Sequence, residues 1–196
     1  SFTAALNFAR KGMINFREVF IGIVFTFIGA CVGTVLILFL SAEFLRVIIP
    51  FCLIAIFIYT LLMPKVGDED RAARMNARAF YVIFGLILGF YDGFFGPGAG
   101  SFWTFAMVAL IGLNMKKAVA HTKILNFTSN IVSLAVFIVG GHMLWTVGFL
   151  MGAGQVLGAY FGSNMVMKKD VKFVRVVFLA VVGATILKLV YDRFFA

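Results

Sequence analysis

The sequence predicts an all-α integral membrane protein, a polytopic bundle of helices that cross a lipid bilayer. Of its 196 residues, 63% are hydrophobic and 13% are charged, and the mean hydropathy is +1.07. A soluble domain usually has about 45–50% apolar and about 25% charged residues, so this chain is too apolar for one. Only helices and closed barrels satisfy every backbone polar group in hydrocarbon. The apolar runs are far longer than the roughly ten-residue strands of a barrel, which favours helices.

Five apolar segments are long enough to cross a bilayer, which takes about 20 residues. They cover residues 19–41, 44–63, 118–139, 143–167 and 173–192, whereas the apolar segment 1–9 is too short.

A break in the apolar pattern predicts a broken or re-entrant helix pair. Segments 79–95 and 101–113 are separated by the run Gly96-Pro97-Gly98-Ala99-Gly100. Proline lacks a backbone donor and glycine is a poor helix former, so a helix does not continue comfortably through this run.

Two parts of the chain resemble each other, with a hydrophilic linker at residues 64–78 between them. Residues 1–63 align with the C-terminal region at a constant offset of 129, which places Gly29–Gly33 on Gly158–Gly162. Basic residues lie in opposite loops of the two copies, which predicts two inverted-topology repeats, as in many secondary transporters. We therefore interpret residues 1–63 as the C-terminal part of a first repeat that lacks about 50 preceding residues, and 79–196 as the second repeat.

The basic residues also predict a topology. The net charge of +9 lies mainly in short loops beside apolar segments, which is typical of a membrane protein and argues against nucleic acid as a partner. The pattern predicts that loops 10–17, 64–78, 114–117 and 168–175 are cytoplasmic and that the C-terminus lies outside. This path requires residues 79–113 to enter and leave on the same face.

The glycine-rich run is the strongest candidate for a binding site. Irregular backbone within a bilayer is tolerated only against protein or a polar cavity. A helix restarting near Ser101 would present free N–H groups and a positive dipole end, which glycines allow an anion to approach. We predict that Gly96, Pro97, Gly98, Gly100 and Ser101 bind a small anion, with a glycine packing seam as the alternative.

Polar residues within apolar segments supply further candidates. Asp92 is the one acid well inside such a segment, and it is predicted to couple a proton or, structurally, to hold a lysine or cap the restarting helix. Lys123, Asn126 and Asn130 share one helix face, with Ser129 and Ser133 adjacent, so this stripe is predicted to face the interior. Thr122, Lys123 and Asn126 are further candidates for binding the anion. Lys123 would add positive potential for the anion or, alternatively, snorkel to the surface.

Other polar and small residues are predicted to be structural. His121 is expected to cap or pack, and the spaced glycines Gly29/Gly33 and Gly158/Gly162 to allow close helix packing. The sequence predicts no catalytic residues, metal site, cofactor or disulfide.

These candidate residues also carry a resemblance to a known family. The run Gly89–Trp103 (GFYDGFFGPGAGSFW), followed by Ala120–Lys123 (AHTK), resembles the TauE/SafE family of bacterial transporters, nearest to its YfcA-like branch. The resemblance extends over the whole chain. It implies a multi-pass protein of the bacterial inner membrane, with two related halves, that exports sulfite, sulfoacetate or other sulfur-containing organic anions.

The predicted function is a secondary transporter of a small anion by alternating access, and the resemblance narrows the anion to sulfite or a sulfur-containing organic anion. An anion channel and a membrane scaffold without transport are the alternatives. An enzyme is not predicted, because an aspartyl protease needs two membrane acids and nothing in the spacing activates Ser101. The predicted partners are the lipid bilayer and the anionic substrate, and a homo-oligomer remains open.

Overall fold

The structure is a computed structural model that describes residues 1–10, 12–41, 72–141 and 143–168, with isolated positions such as Asp70 elsewhere. The chain divides into two compact units, one formed by Ser1–Phe39 with Lys65–Gln155 and the other by Leu40–Pro64 with Val156–Ala196. In the second unit, the described residues include the C-terminal part of the helix Trp145–Lys168 and a hydrogen bond from the Phe44 N–H to Ser41 Oγ at 3.2 Å. The predicted spans 44–63 and 173–192 fall largely outside the described residues, and most of the remaining description concerns the first unit.

The described part of the chain contains six bounded helices and no strand. They are α1 (Phe2–Arg10), α2 (Phe16–Leu38), α3 (Ala77–Phe94), α4 (Ala99–Leu110), α5 (Met115–Val139) and α6 (Trp145–Lys168). Of these, α2, α3 and α5 are long and apolar enough to cross a membrane, and α4 is a shorter apolar helix. The helical class predicted from composition is therefore confirmed, and three of the described helices have the length and apolarity of membrane spans.

Polar caps set the beginnings of α3 and α5, a few residues before the apolar segments in the sequence. Asn76 Oδ1 accepts the N–H of Arg78 at 2.8 Å, and Asn114 Oδ1 accepts the N–H of Lys117 at 3.0 Å. An asparagine in this position satisfies an N–H that has no partner within the helix. Hydropathy therefore locates these helices, but hydrogen bonding decides where they begin.

Three helices, α2, α3 and α5, run parallel to one another. Contacts advance in the same direction along α2 and α3, in the pairs Gly22 with Tyr81, Thr26 with Gly89 and Gly33 with Phe94. They do the same along α3 and α5, in the pairs Tyr81 with His121 and Asp92 with Ser129. The N-termini of all three helices lie at one end of the unit, here called the near end. The residues just before these helices thus share one end, as the predicted topology requires, while the compartment at that end stays a prediction.

Glycines on both helices allow the backbones of α2 and α3 to touch. A Cβ at Gly29 would lie 2.7 Å from the backbone N of Phe90, and one at Gly89 would lie 2.8 Å from Thr26 Cα. In a membrane, helices associate through close packing, so small residues at the interface stabilise the pair. The predicted packing role of Gly29 and its neighbour Gly33 is confirmed.

The corresponding glycines of α6 do not have such contacts in the described residues. A Cβ at Gly158 would meet nothing within 4 Å, and the surroundings of Gly162 lie outside the described side chains.

Helix α4 returns to the near end. The backbone N–H groups of Arg74 and Met75 both donate to Leu110 O, at 2.8 and 2.9 Å, so the end of α4 lies beside the segment that enters α3. The chain between residues 79 and 113 therefore begins and ends at the same end of the unit.

The loop between α3 and α4 comprises Phe95–Gly98. Gly96 and Gly98 have φ values of +83° and +78°, a left-handed conformation that glycine adopts without a Cβ penalty. Helix α4 begins at Ala99, two residues before the predicted restart near Ser101.

A group of fully buried side chains lies among α3, α4 and α5. Its largest members are Trp103, Phe80, Tyr81, Met107 and Leu125, each 1% exposed or less. Helix α1 runs antiparallel to α5 beside this group, with the rings of Phe2 and Phe127 5.0 Å apart between centroids.

The contact of α2 with α3 predicts a strong effect of a single added methyl group. In Gly33→Ala, the new Cβ would lie 2.9 Å from Phe94 N and overlap the Phe90 carbonyl, so the two backbones must separate. We expect a loss of about 1–3 kcal/mol, measured as a lower midpoint of thermal unfolding in detergent. Gly152→Ala on α6 is the matched control, because its Cβ meets nothing within 4 Å. Equal destabilisation by both substitutions would contradict this packing role.

An exposed contact at the near end predicts a dependence of stability on pH. Lys117 Nζ lies 2.6 Å from Asp70 Oδ2, and the Asn114 N–H donates to Asp70 Oδ1 at 2.7 Å. The hydrogen bond from Lys117, followed by that from Asn114, lowers the pKa of Asp70 below its ordinary value of 3.8. A lowered folded-state pKa adds stability above the unfolded-state pKa, and that stability is lost as the pH falls through the folded-state value.

We therefore expect Asp70→Asn to reduce thermal stability slightly at neutral pH, with the difference from the parent shrinking below about pH 4. Lys117→Ala should behave in the same way, whereas Lys116→Ala, at the neighbouring exposed position, should not. A difference that is constant with pH would show that the Asp70 charge does not contribute.

Candidate functional site

Several predicted site residues converge where α4 begins, against α5. A Cβ at Gly100 would lie 3.1 Å from Asn126 Nδ2 and 3.7 Å from Thr122 Cγ2. Thr104 Oγ1 donates to Gly100 O at 2.7 Å and lies 3.1 Å from Thr122 Oγ1. Gly100, Thr122 and Asn126, three of the candidate residues, are thus brought together. Thr104 was not predicted, although its place four residues after Gly100 puts it on the same helix face.

The carboxylate of Asp92 joins α3 to α5. It accepts a hydrogen bond from the hydroxyl of Ser129, which is 1% exposed. This bond goes across to α5 and not to the N–H groups at the beginning of α4. Asp92 therefore does not have the predicted capping role in this structure.

The beginning of α4 offers fewer free donors than the sequence predicted. The N–H groups of Ala99 and Ser101 donate to the carbonyl oxygens of Gly96 and Gly98, at 3.1 and 2.9 Å. The N–H of Gly100 has no acceptor among the described residues. The loop carbonyls thus satisfy most of the helix end, and Gly100 keeps one donor without a partner among the described residues.

Asn126 supplies a polar group whose hydrogen bonding is incomplete. Within the described part of the chain, its buried Oδ1 has no hydrogen-bond partner, and the same is true of Trp103 Nε1 and Thr26 Oγ1. A buried polar atom without a partner costs about 1–3 kcal/mol, so such atoms favour a site that a ligand or water completes.

This cluster lies within the span and not at its ends. Ser129 follows the beginning of α5 by about 21 Å at 1.5 Å per residue, and α5 continues for about 15 Å beyond it. The charge of Asp92 is therefore located where it is costly to leave unpaired.

The structure separates Lys123 from the Gly100 side of α5. Successive residues of a helix differ by about 100° in direction, so Lys123 is turned roughly a right angle from Thr122 and points nearly along Asn130. On that side of α5, Asn130 Nδ2 donates to Ser1 Oγ at 3.2 Å and Phe127 packs against Phe2 of α1. Lys123 is half-buried and forms no ion pair with a described residue. The predicted stripe thus divides between two surfaces of α5.

The remaining predicted residues shape the loop. Tyr91 OH donates to the carbonyl of Pro97 at 2.6 Å, which holds the exposed proline against α3. Gly98 is the N-cap of α4 in the left-handed conformation, and Ser101 lies half-buried in the first turn. Tyr91 was not predicted, because a tyrosine inside an aromatic-rich helix gives no signal of a loop contact.

His121 has the structural role that the sequence predicts. It is 3% exposed, with Nδ1 2.7 Å from Tyr81 OH, and Nε2 accepts the N–H of Asn15 at 3.4 Å. Because Nε2 is an acceptor, a neutral ring carries its proton on Nδ1 and donates it to Tyr81. The ring thereby joins the N-terminal parts of α2, α3 and α5. No group of three or more metal-ligating side chains occurs among the described residues.

Comparisons with known proteins cover almost the whole chain. The family model described as sulfite exporter TauE/SafE matches residues 1–189. A "Probable membrane transporter protein" of Haemophilus influenzae is 44% identical over 195 residues, which is 97% of this chain and 75% of the relative. The "Probable membrane transporter protein YfcA" of Escherichia coli is 45% identical over 192 residues, 98% of this chain and 71% of the relative.

A third relative, "Probable membrane transporter protein ORF9" of a Sinorhizobium species, is 41% identical over 97% of this chain and 73% of its own length. No solved structure matches the chain. With a family match over residues 1–189 and relatives this similar, the chain belongs to the TauE/SafE family of membrane transporter proteins.

Proposed function

We propose that this protein is a secondary transporter of the bacterial inner membrane that exports a small oxyanion, either sulfite or a sulfur-containing organic anion, by alternating access. Family membership supports the transporter class, and the family description supports the substrate. The observation that carries the proposal is the cluster of Gly100, Asn126, Asp92 and Ser129 inside the membrane span.

The anion would bind at the beginning of α4. Gly100 offers a backbone N–H and no side chain, and the Asn126 amide lies beside it. Both donors sit at the positive end of a helix dipole, which favours a negative group. Oxygen atoms of a sulfite or sulfonate would accept from them, while Gly96, Pro97 and Gly98 form the loop and Ser101 and Thr122 add hydroxyls.

Lys123 would act through its charge and not through contact. It lies on the side of α5 towards α1, one residue from Thr122. In a medium of low dielectric constant, a cation attracts an anion even where the two do not touch. Its half-buried position therefore supports a role in drawing the anion into the span.

Asp92 would couple transport to protons. An anion bound at Gly100 repels a charged carboxylate nearby, so anion binding favours the protonated acid, and protonation of the acid favours anion binding. Ser129, which donates to this carboxylate, would hold it in place between α3 and α5.

We further infer that the chain has inverted repeats, with α3 and α4 as a broken re-entrant pair. The offset of 129 maps the first residue of α2, Phe16, onto the first residue of α6, Trp145. It also maps Gly12 onto Gly141, and these two glycines have φ values of +67° and +69°. The first of these connections lies at the near end, and the second follows α5 at the opposite end, which supports an inversion.

Substitution of Asn126 tests the binding site. In Asn126→Asp, a negative charge replaces an amide beside Gly100, so we expect anion flux into proteoliposomes to fall about tenfold or more. The flux of sulfite, thiosulfate, taurine and sulfoacetate would be measured with the intact protein. Asn130→Asp is the matched control, because it adds the same charge one turn later on the exposed side of α5.

Equal loss in the two variants would contradict this site. Flux that does not saturate, together with large single-channel currents, would show that the protein is an anion channel and not a transporter. Normal flux in Asn126→Asp, Lys123→Ala and Gly98→Ala would favour a scaffold. If another solute binds and none of the sulfur anions does, the proposed substrate class is wrong.

Substitution of Asp92 tests the coupling. Asp92→Asn keeps the size and the hydrogen bond to Ser129 but cannot release a proton, so we expect flux to lose its dependence on the pH gradient while exchange of anions persists. Ser129→Ala should lower flux and retain that dependence. A residual pH-gradient dependence in Asp92→Asn would exclude this acid as the coupling residue.

A further inference from the structure

A second candidate binding region lies at the near end, separate from the glycine-rich loop. A cavity of about 250 Å³ opens between the beginnings of α2 and α3. It is lined by Asn15, Arg17, Glu18, Ile21, Ala77 and Arg78.

The charges around this cavity favour an anion. Arg17 and Arg78 bring two positive charges and Glu18 brings one negative charge, and none of the three forms an ion pair with a described residue. The N-terminal turns of α2 and α3 add partial positive charge on the same side. A phosphate group suits two guanidinium groups, since arginine binds phosphate oxygens with paired donors.

The position of the cavity favours a lipid as the source of that phosphate. Its residues lie at the N-terminal ends of two helices that are long and apolar enough to span a membrane. The ends of such helices are where headgroups meet hydrocarbon. Ile21 and Ala77 give it an apolar wall, and Phe16 and Phe20 beside it are 56% and 62% exposed. A charged opening next to an exposed apolar helix face matches a phospholipid, with its headgroup in the cavity and its acyl chains along α2.

We propose that this cavity binds the phosphate headgroup of an anionic phospholipid, held by Arg17 and Arg78. Basic pockets between membrane helices at the bilayer surface bind such headgroups by this combination of charge and position. Glu18 opposes the lipid phosphate by repulsion, so it limits the affinity of the site. The proposal does not depend on which anion the protein transports.

The test measures lipid binding to the intact protein by thermal shift and native mass spectrometry. Phosphatidylglycerol, phosphatidylcholine and inorganic phosphate are added separately to protein in detergent. The cavity variant is the double substitution Arg17→Gln/Arg78→Gln, and the matched control is Arg10→Gln/Lys116→Gln, which removes two exposed charges from the near end outside the cavity. Glu18→Gln is the third variant.

We expect phosphatidylglycerol to stabilise the parent protein more than phosphatidylcholine does, and inorganic phosphate to have little effect. The cavity variant should lose about tenfold or more in apparent affinity for phosphatidylglycerol, while the control retains it. Glu18→Gln should bind phosphatidylglycerol more tightly, because it removes the repelling charge, and this gain keeps the test valid even if the cavity variant does not fold.

Three results would overturn the proposal. Equal losses in the cavity and control variants would mean that net charge, and not this cavity, attracts the lipid. Stabilisation by inorganic phosphate equal to that by the lipid would identify a free-anion site. Weaker or unchanged lipid binding in Glu18→Gln would show that the headgroup is not beside this carboxylate.

Discussion

The direct contact between the backbones of α2 and α3 fixes most of the other positions in the described unit. Gly29 and Gly89 leave no room for a side chain between the helices, so the two can neither slide nor rotate without collision. This contact holds α3 in one rotation about its axis, and from that rotation Tyr81 and Asp92 both reach α5. A sequence of large apolar residues at these positions would still span a membrane, but it would not hold polar groups in register.

Polar side chains connect α2, α3 and α5 at two places. Thr34 Oγ1 donates to Gly93 O at 3.0 Å and lies 2.8 Å from Ser133 Oγ, so α2, α3 and α5 meet through hydroxyls near Asp92. Closer to the near end, the hydrogen bonds of His121 connect the same three helices. The beginning of α4 differs, because Gly100 and Asn126 retain a donor and an acceptor without partners among the described residues. Within the same described residues, Trp103 Nε1 on α4 and Thr26 Oγ1 on α2 also lack partners. At the beginning of α4 the unpaired groups of Gly100 and Asn126 lie side by side, as a site for a transient ligand requires.

The sequence predicted the helices well, but it did not predict where they begin or which groups cap them. Hydropathy located α2, α3 and α5 within a few residues, and the glycine-proline run located the loop before α4. The beginnings of α3 and α5 were misplaced because Asn76 and Asn114 are polar and lie outside the apolar runs, although they cap the helices. The capping role considered for Asp92 was wrong, since the loop carbonyls already occupy the N–H groups of Ala99 and Ser101.

The sequence by itself determined the membrane class, the helical elements, the glycine-rich loop and the family resemblance, because these depend on composition and on local order along the chain. Only the tertiary structure decided which polar residues share a surface. Lys123 and Asn126 are three residues apart and looked equivalent, yet one lies on the side of α1 and the other against Gly100. That distinction depends on how α5 is rotated against its neighbours, and the rotation is set by the close packing of several helices at once, which no local pattern records.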